Sequence, residues 1–289
     1  MKININDNLT LEQLRISLRN ALTPKYGERE ATAMARMIIM SLKGWDMAHL
    51  LANGNREASE FIKARAQEIL GNLLDDMPLQ YALGEAGFYG LKLKVGPGVL
   101  IPRPETEGLV DIIVKENRAN DLHVLDLCTG SGAIVLALAR NLSFPVIEAV
   151  DISPDAIAVA SYNASHLKIK IKISEADIFN YSFPKDSYDI IVSNPPYVDE
   201  SEKASMEANV LDYEPAIALF VPDDNPLVYY RRIAEIGLSS IKQGGRLYLE
   251  INPRHAKELK QLLTDTGFSD VEILLDSFGK QRYIRATRP

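Results

Sequence analysis

Apolar residues near the start of the chain recur every three or four positions: Leu11, Leu14 and Leu18, then Ala33, Met37, Ile38 and Leu42. That spacing predicts helices with one buried stripe, and β-branched runs are almost absent over residues 8–76. Thr10 before Leu11, with Gln13 three residues on, predicts a capping box. Gly27, Gly44 and Asn53-Gly54 punctuate the pattern, so residues 1–76 are expected to form a small helical bundle. The period then shortens to two. Leu91, Leu93 and Val95 alternate with Lys92 and Lys94, and Gly96-Pro97-Gly98 turns the chain; a β-hairpin linker over 77–104 follows from this. A helix is expected from about 105 to 117. Beyond it, strands at His123–Leu127, Ile147–Ile152, Ile169–Ser174, Tyr188–Ser193 and Arg246–Ile251 alternate with helices at about 132–141, 154–166, 224–241 and 254–266. Alternation of this kind predicts an α/β domain over 105–289 with a doubly wound parallel sheet. Val271–Leu275 and Arg282–Ala286, on either side of Gly279, read as a closing hairpin.

Composition narrows the function. The chain has 289 residues, 46% apolar and 25% charged, ordinary for a globular protein. No apolar run is long enough to span a membrane, and Met1–Asp7 has no signal-peptide core. The single cysteine, Cys128, permits no intrachain disulfide, and a cytoplasmic enzyme is expected. Net charge is −7, from 32 Lys and Arg against 39 Asp and Glu. Such a balance does not favour a large nucleic-acid footprint. Residues 1–76 are locally neutral, with ten of each sign. The four histidines show no metal spacing.

The chemistry concentrates where strands end. Residues 190–197 run Ile-Ile-Val-Ser-Asn-Pro-Pro-Tyr. The two prolines can neither continue a ladder nor start a helix directly, so Asn194, Pro195, Pro196 and Tyr197 are held extended past a strand's carboxyl end, where open α/β sheets place ligands. A carboxamide, a carbonyl and an aromatic face suit a flat, neutral amino group. The first strand runs into Cys128-Thr129-Gly130-Ser131-Gly132 and then a helix, a loop that lets backbone N–H groups approach an anion. A dinucleotide fingerprint would want Gly or Ala at position 135, where this chain has Val135. Asp151 ends the second strand, 21 residues after Gly130. It suits a pair of ribose hydroxyls or, with Ser153 and Pro154, a helix start. After the third strand, Asp177 can accept an adenine amino group and Ile178 can cover its ring; an Asp there is also a common turn residue. Glu250 reads either as an edge carboxylate near the site or as a buried, hydrogen-bonded acid.

Together with Leu79-Gln80-Tyr81, Phe88-Tyr89-Gly90, Pro97 through Glu107 (Pro-Gly-Val-Leu-Ile-Pro-Arg-Pro-Glu-Thr-Glu) and Tyr213-Glu214-Pro215, these motifs resemble the bacterial protein-glutamine N5-methyltransferases called PrmC or HemK. The resemblance runs over nearly the whole chain. It implies a Rossmann-like class I methyltransferase sheet of seven strands, the last antiparallel, behind the helical bundle that positions the substrate. It implies S-adenosylmethionine as cofactor, held by residues 128–132, Asp151, Asp177, Ile178 and Asn194. The substrate implied is the Gln of the Gly-Gly-Gln tip of class I peptide chain release factors, held by Asn194 through Tyr197 with Arg103 and Glu105 nearby. Two positions depart from the family pattern: Cys128 stands where the loop's first glycine is usual, and Asn252 where Gly follows the fifth strand. A nucleic-acid adenine-N6 methyltransferase would present the same donors to the site, but the chain has no basic, aromatic-rich recognition segment. A non-catalytic binding module fits poorly with intact acids and an intact Asn-Pro-Pro-Tyr. A monomer that docks transiently is expected.

Overall fold

The computed structural model describes residues 9–289, which divide into two compact units. The first comprises the chain up to Gly84 together with Ala208–Tyr213. Its long helix α1 (Leu11–Lys43) opens with the expected capping box, Thr10 Oγ1 accepting from Gln13 N–H and Gln13 Oε1 from Thr10 N–H. Pro24 and Gly27 (φ 76°, ψ 163°) break it, because proline lacks a donor and the glycine leaves helical space. The break resets the buried stripe. Leu11, Leu14, Leu18 and Leu22 precede it, and Ala31, Met34, Ala35, Ile38 and Ile39 follow. Met37, expected in the core, is therefore 44% exposed, and Ala33 and Leu42 are only half-buried. Helices α2 (Met47–Asn53), α3 (Glu60–Leu74) and α4 (Leu79–Leu83) complete this core with Leu50, Ile62, Ile69, Leu70 and Leu73. Each fully buried aliphatic side chain there contributes about 1.5–3 kcal/mol.

The second unit comprises Glu85–Glu207 and Glu214–Pro289. It opens with the hairpin β1 (Glu85–Phe88) and β2 (Leu91–Lys94). The hairpin turns at Tyr89-Gly90 (φ 47° and 73°) and not at Gly96-Pro97-Gly98; two successive positive φ angles match the twist of the flanking strands. Then come α5 (Thr106–Glu116), β3 (His123–Leu127), α6 (Ala133–Asn141), β4 (Val146–Asp151), α7 (Pro154–His166), β5 (Lys172–Glu175), β6 (Tyr188–Ser193) and β7 (Val198–Asp199). The short helix α8 (Ala208–Tyr213) is the segment that belongs to the first unit. Beyond it lie β8 (Phe220–Val221), α9 (Val228–Ser240), β9 (Ile241–Glu250), α10 (Ala256–Thr266), β10 (Ser269–Leu275) and β11 (Gln281–Thr287).

Seven strands form the main sheet in the order β10-β11-β9-β6-β3-β4-β5. Strands β5, β4, β3, β6 and β9 run parallel, and β11 lies antiparallel between β9 and β10. Successive residues of each strand point to opposite faces. Leu125, Ile191, Leu247 and Leu249 enter one core layer, while Val124, Ile190, Val192 and Tyr248 enter the other. Burial on both faces explains the unbroken apolar runs. Strand β5 starts later than expected because α7 ends in a tight closure, Lys168 at φ 57° and Ile169 N–H bonding back to Ala164 O. Helix α9 starts later because Pro222–Asn225 forms a turn first.

Candidate active site

Parallel strands bring the ends of β3, β4, β5 and β6 to one edge of the sheet. There a cleft of about 1020 Å³, open at its mouth, is lined by Cys128, Thr129, Gly130, Ser131, Asp151, Asp177, Ile178, Asn194, Pro196 and Arg103. Gly132, Pro195, Tyr197 and Glu105 do not line it. Pro195 and Tyr197 line an adjoining cavity of about 490 Å³, which shares Leu100, Arg103, Asn194 and Ala218 with the first. Gly132 (φ 80°) is the N-cap of α6, and a Cβ there would stand 3.3 Å from Ala160 Cβ. It serves the close approach of α6 to α7. Glu105 stands at the N-cap position of α5 without a side-chain capping bond, and its carbonyl accepts from the Tyr283 hydroxyl.

The loop after β3 is held from below. Asp151 Oδ2 accepts from Gly130 N–H at 2.8 Å and Oδ1 from Ser153 N–H at 3.0 Å. Ser153 caps α7 in turn, so Asp151 both faces the cleft and orders the helix start. Burial raises its pKa. Beneath the loop, Asp126 is fully buried; Thr129 Oγ1 donates to its Oδ2 at 2.7 Å, and among the described residues its Oδ1 has no partner. Burial pushes this carboxyl up to about 8, and neighbouring Asp151 adds to the effect. Cys128 adopts φ 63°, a left-handed conformation that costs an L residue about 1–2 kcal/mol. Burial, with Asp151 and Asp126 nearby, drives its thiol well above the ordinary range, so it is no nucleophile. Asp177 Oδ1 and Oδ2 accept from Phe179 N–H and the Asn180 amide, and each oxygen keeps a lone pair.

Asn194 lines both cavities, and among the described residues its carboxamide bonds to no protein group. Tyr197 is anchored at both ends: its hydroxyl donates to Glu250 Oε1 at 2.9 Å, and its carbonyl accepts from Asn252 Nδ2 at 3.1 Å. Burial beside the Glu250 carboxylate raises the Tyr197 phenol well above its usual value of 10, which keeps it a neutral donor. Glu250 is thus the buried, hydrogen-bonded acid of the two readings. Arg103 Nη2 donates to Glu214 Oε1 at 2.6 Å, while Glu214 Oε2 takes Ile101 N–H at 3.0 Å. Sequence reasoning missed the apolar walls. Ile152 (47% exposed) and Phe179 (41%) stand in the cleft directly after Asp151 and Ile178, and the Phe179 ring meets that of Tyr229 edge-on. Large apolar residues placed immediately after strand-end acids were the available signal. Half-exposed apolar walls beside carboxylate acceptors fit an adenosine, whose ring would cover the first and whose hydroxyls would meet the second.

A methyltransferase small domain model matches residues 105–212, and a PrmC N-terminal domain model matches 13–84. The chain is 40% identical to the release factor glutamine methyltransferase of Bacteroides thetaiotaomicron, over 96% of this chain and 100% of that one. The chain belongs to the release factor glutamine methyltransferases. Its likeness to the member from Streptococcus pneumoniae is 38%, covering 96% and 98% of the two chains. In fold it is similar to a methyltransferase from Pyrococcus furiosus, with a TM-score of 0.51 at 16% identity over 75% of this chain and 96% of that one. It is an enzyme that uses S-adenosylmethionine, as the family establishes.

Proposed function

We propose that this enzyme methylates the side-chain amide nitrogen (N5) of the Gln in the Gly-Gly-Gln tip of class I peptide chain release factors. The observation that carries the reading is the carboxamide of Asn194, without a protein partner among the described residues, at the junction of the two cavities. S-adenosylmethionine, when bound, supplies an electrophilic methyl group on a sulfonium. Residues 128–131, Asp151, Asp177, Ile178 and Asn194 would hold it. The Asn194 side-chain oxygen and the Pro195 carbonyl accept the two N–H bonds of the substrate amide, and Tyr197 offers its ring to the amide plane. An amide nitrogen is a poor nucleophile because its lone pair is delocalised. Two acceptors aimed at its N–H bonds strengthen as positive charge grows on nitrogen, so they favour the transition state over the ground state. No general base is required, since the proton leaves after methyl transfer.

In this reading the helical unit positions the release factor, with Arg103 beside the substrate. The enzyme acts in the cytoplasm as a monomer that docks transiently and needs no nucleic-acid partner. Among the described residues no helix is long and apolar enough to cross a membrane. Asn194→Ala tests the assignment: turnover should be lost while cofactor affinity, measured by calorimetry, falls far less. Retention of activity would contradict it.

A further inference from the structure

The end of β9 carries two polar side chains that face neither cofactor nor solvent. Glu250 is 1% exposed and Asn252 6%, and neither lines the cleft. Glu250 divides its carboxylate between the two walls of the site. Oε1 takes the Tyr197 hydroxyl at 2.9 Å, and Oε2 takes the Thr106 hydroxyl at 2.6 Å. Thr106 lines the cleft itself and ends the segment that begins with Arg103. The Glu250 carbonyl is held in turn by the Tyr230 hydroxyl at 3.0 Å. Asn252 uses all its hydrogen-bonding directions but one. Its Nδ2 donates to Tyr197 O at 3.1 Å and to Glu202 Oε2 at 2.9 Å, while its Oδ1 accepts from Arg254 N–H at 3.1 Å. Glu202 Oε2 also takes Asp199 N–H at 3.0 Å, so the chain just beyond Tyr197 is tied to the same group.

We propose that Glu250 and Asn252 are positioning residues for methyl transfer: a bracket at the end of β9 that fixes the hydroxyl and the carbonyl of Tyr197 and thereby the place and axis of its ring. The proposal rests on the reading of Asn194–Tyr197 as the glutamine site. Tyr197 has two side-chain torsions; the bond at its carbonyl holds the backbone and the bond at its hydroxyl holds the far end of the ring, so together they fix the direction of the ring axis. Burying a carboxylate is costly, and well-packed apolar residues often serve stability as well or better. Glu250 is therefore better accounted for by the geometry it imposes than by stability alone. Preorganisation of this kind acts on the chemical step, because a small misplacement of the reacting groups slows turnover strongly.

The test is steady-state methyl transfer to a purified class I release factor by the full-length enzyme and its variants, with cofactor affinity measured by calorimetry and folding by thermal unfolding. Asn252→Ala and Tyr197→Phe should each lower kcat about tenfold while cofactor Kd changes less than about twofold. Glu250→Gln, which still accepts from Tyr197, should retain most of the turnover that Glu250→Ala loses. In the Tyr197→Phe background, Glu250→Ala should cost little further kcat, the non-additivity expected of groups that act as a unit. Additive losses, or kcat losses that follow loss of cofactor affinity, would overturn the proposal. Should Glu250→Ala fail to fold, unchanged kcat in Asn252→Ala would overturn it equally. Absence of transfer by the unmodified enzyme would overturn the functional reading and this proposal with it.

Discussion

Asp126 makes the stability of the larger unit fall as pH rises. Its carboxyl is fully buried beneath the cofactor loop, with one oxygen held by Thr129 and the other without a partner among the described residues. Burial raises its pKa from 3.8 to about 8. A carboxyl whose folded pKa lies above its unfolded one keeps its proton longer in the folded state. Its stabilisation is then complete below the unfolded value and is lost as pH climbs toward the folded one. The gap between 3.8 and about 8 sets a ceiling of roughly 6 kcal/mol on the whole effect, or about 1.4 kcal/mol per pH unit within the window. Asp151 and Glu250, also raised by burial, act with the same sign. Asp126→Asn removes the titration and keeps an acceptor for Thr129. Urea unfolding of both proteins without cofactor, at about pH 5, 6 and 7, should show the variant gaining on the wild type by about 1 kcal/mol per pH unit. A difference between the two that does not change with pH would refute the reasoning.

Two other perturbations address the cofactor and substrate sides separately. Asp151→Asn should weaken cofactor binding roughly 10- to 100-fold, the worth of hydrogen bonds to a charged acceptor, and calorimetry showing unchanged affinity would remove Asp151 from the proposed cofactor site. Glu214→Ala releases Arg103 and Ile101 together. KM for the release factor should then rise about tenfold, roughly 1.4 kcal/mol, with cofactor affinity nearly unchanged; an unaltered KM would mean that the Arg103 segment does not meet the substrate.

Where short-range pattern decides, the sequence is a good guide. The bounds of β3, β6 and α7 coincide with the expected ones, because an apolar run stops there at Cys128, at Asn194, or at a Ser153-Pro154 start. The stripe of α1 was misread beyond Gly27, since a kink resets the helical register and periodicity carries no mark of it. The hairpin turn at Tyr89-Gly90 escaped because its first residue is a tyrosine at positive φ, which turn statistics disfavour. Strand-end positions for Cys128, Asp151 and Asn194 could be read from the alternation of elements. Which side chain bonds which could not. Thr106 reaches Glu250 and Arg103 reaches Glu214 across separations of 144 and 111 residues, and no local pattern encodes such pairs. Asn252, a bare departure from the family pattern in the sequence, becomes interpretable only once Tyr197 O is seen beside it.

The central claim is tested most directly by methyl transfer from labelled S-adenosylmethionine to a purified class I release factor, beside the same factor with its tip Gln changed to Ala. Label on the unmodified factor alone is the expected result. Label on both, or on neither while an adenine-containing nucleic acid is methylated, would contradict glutamine N-methylation at that tip.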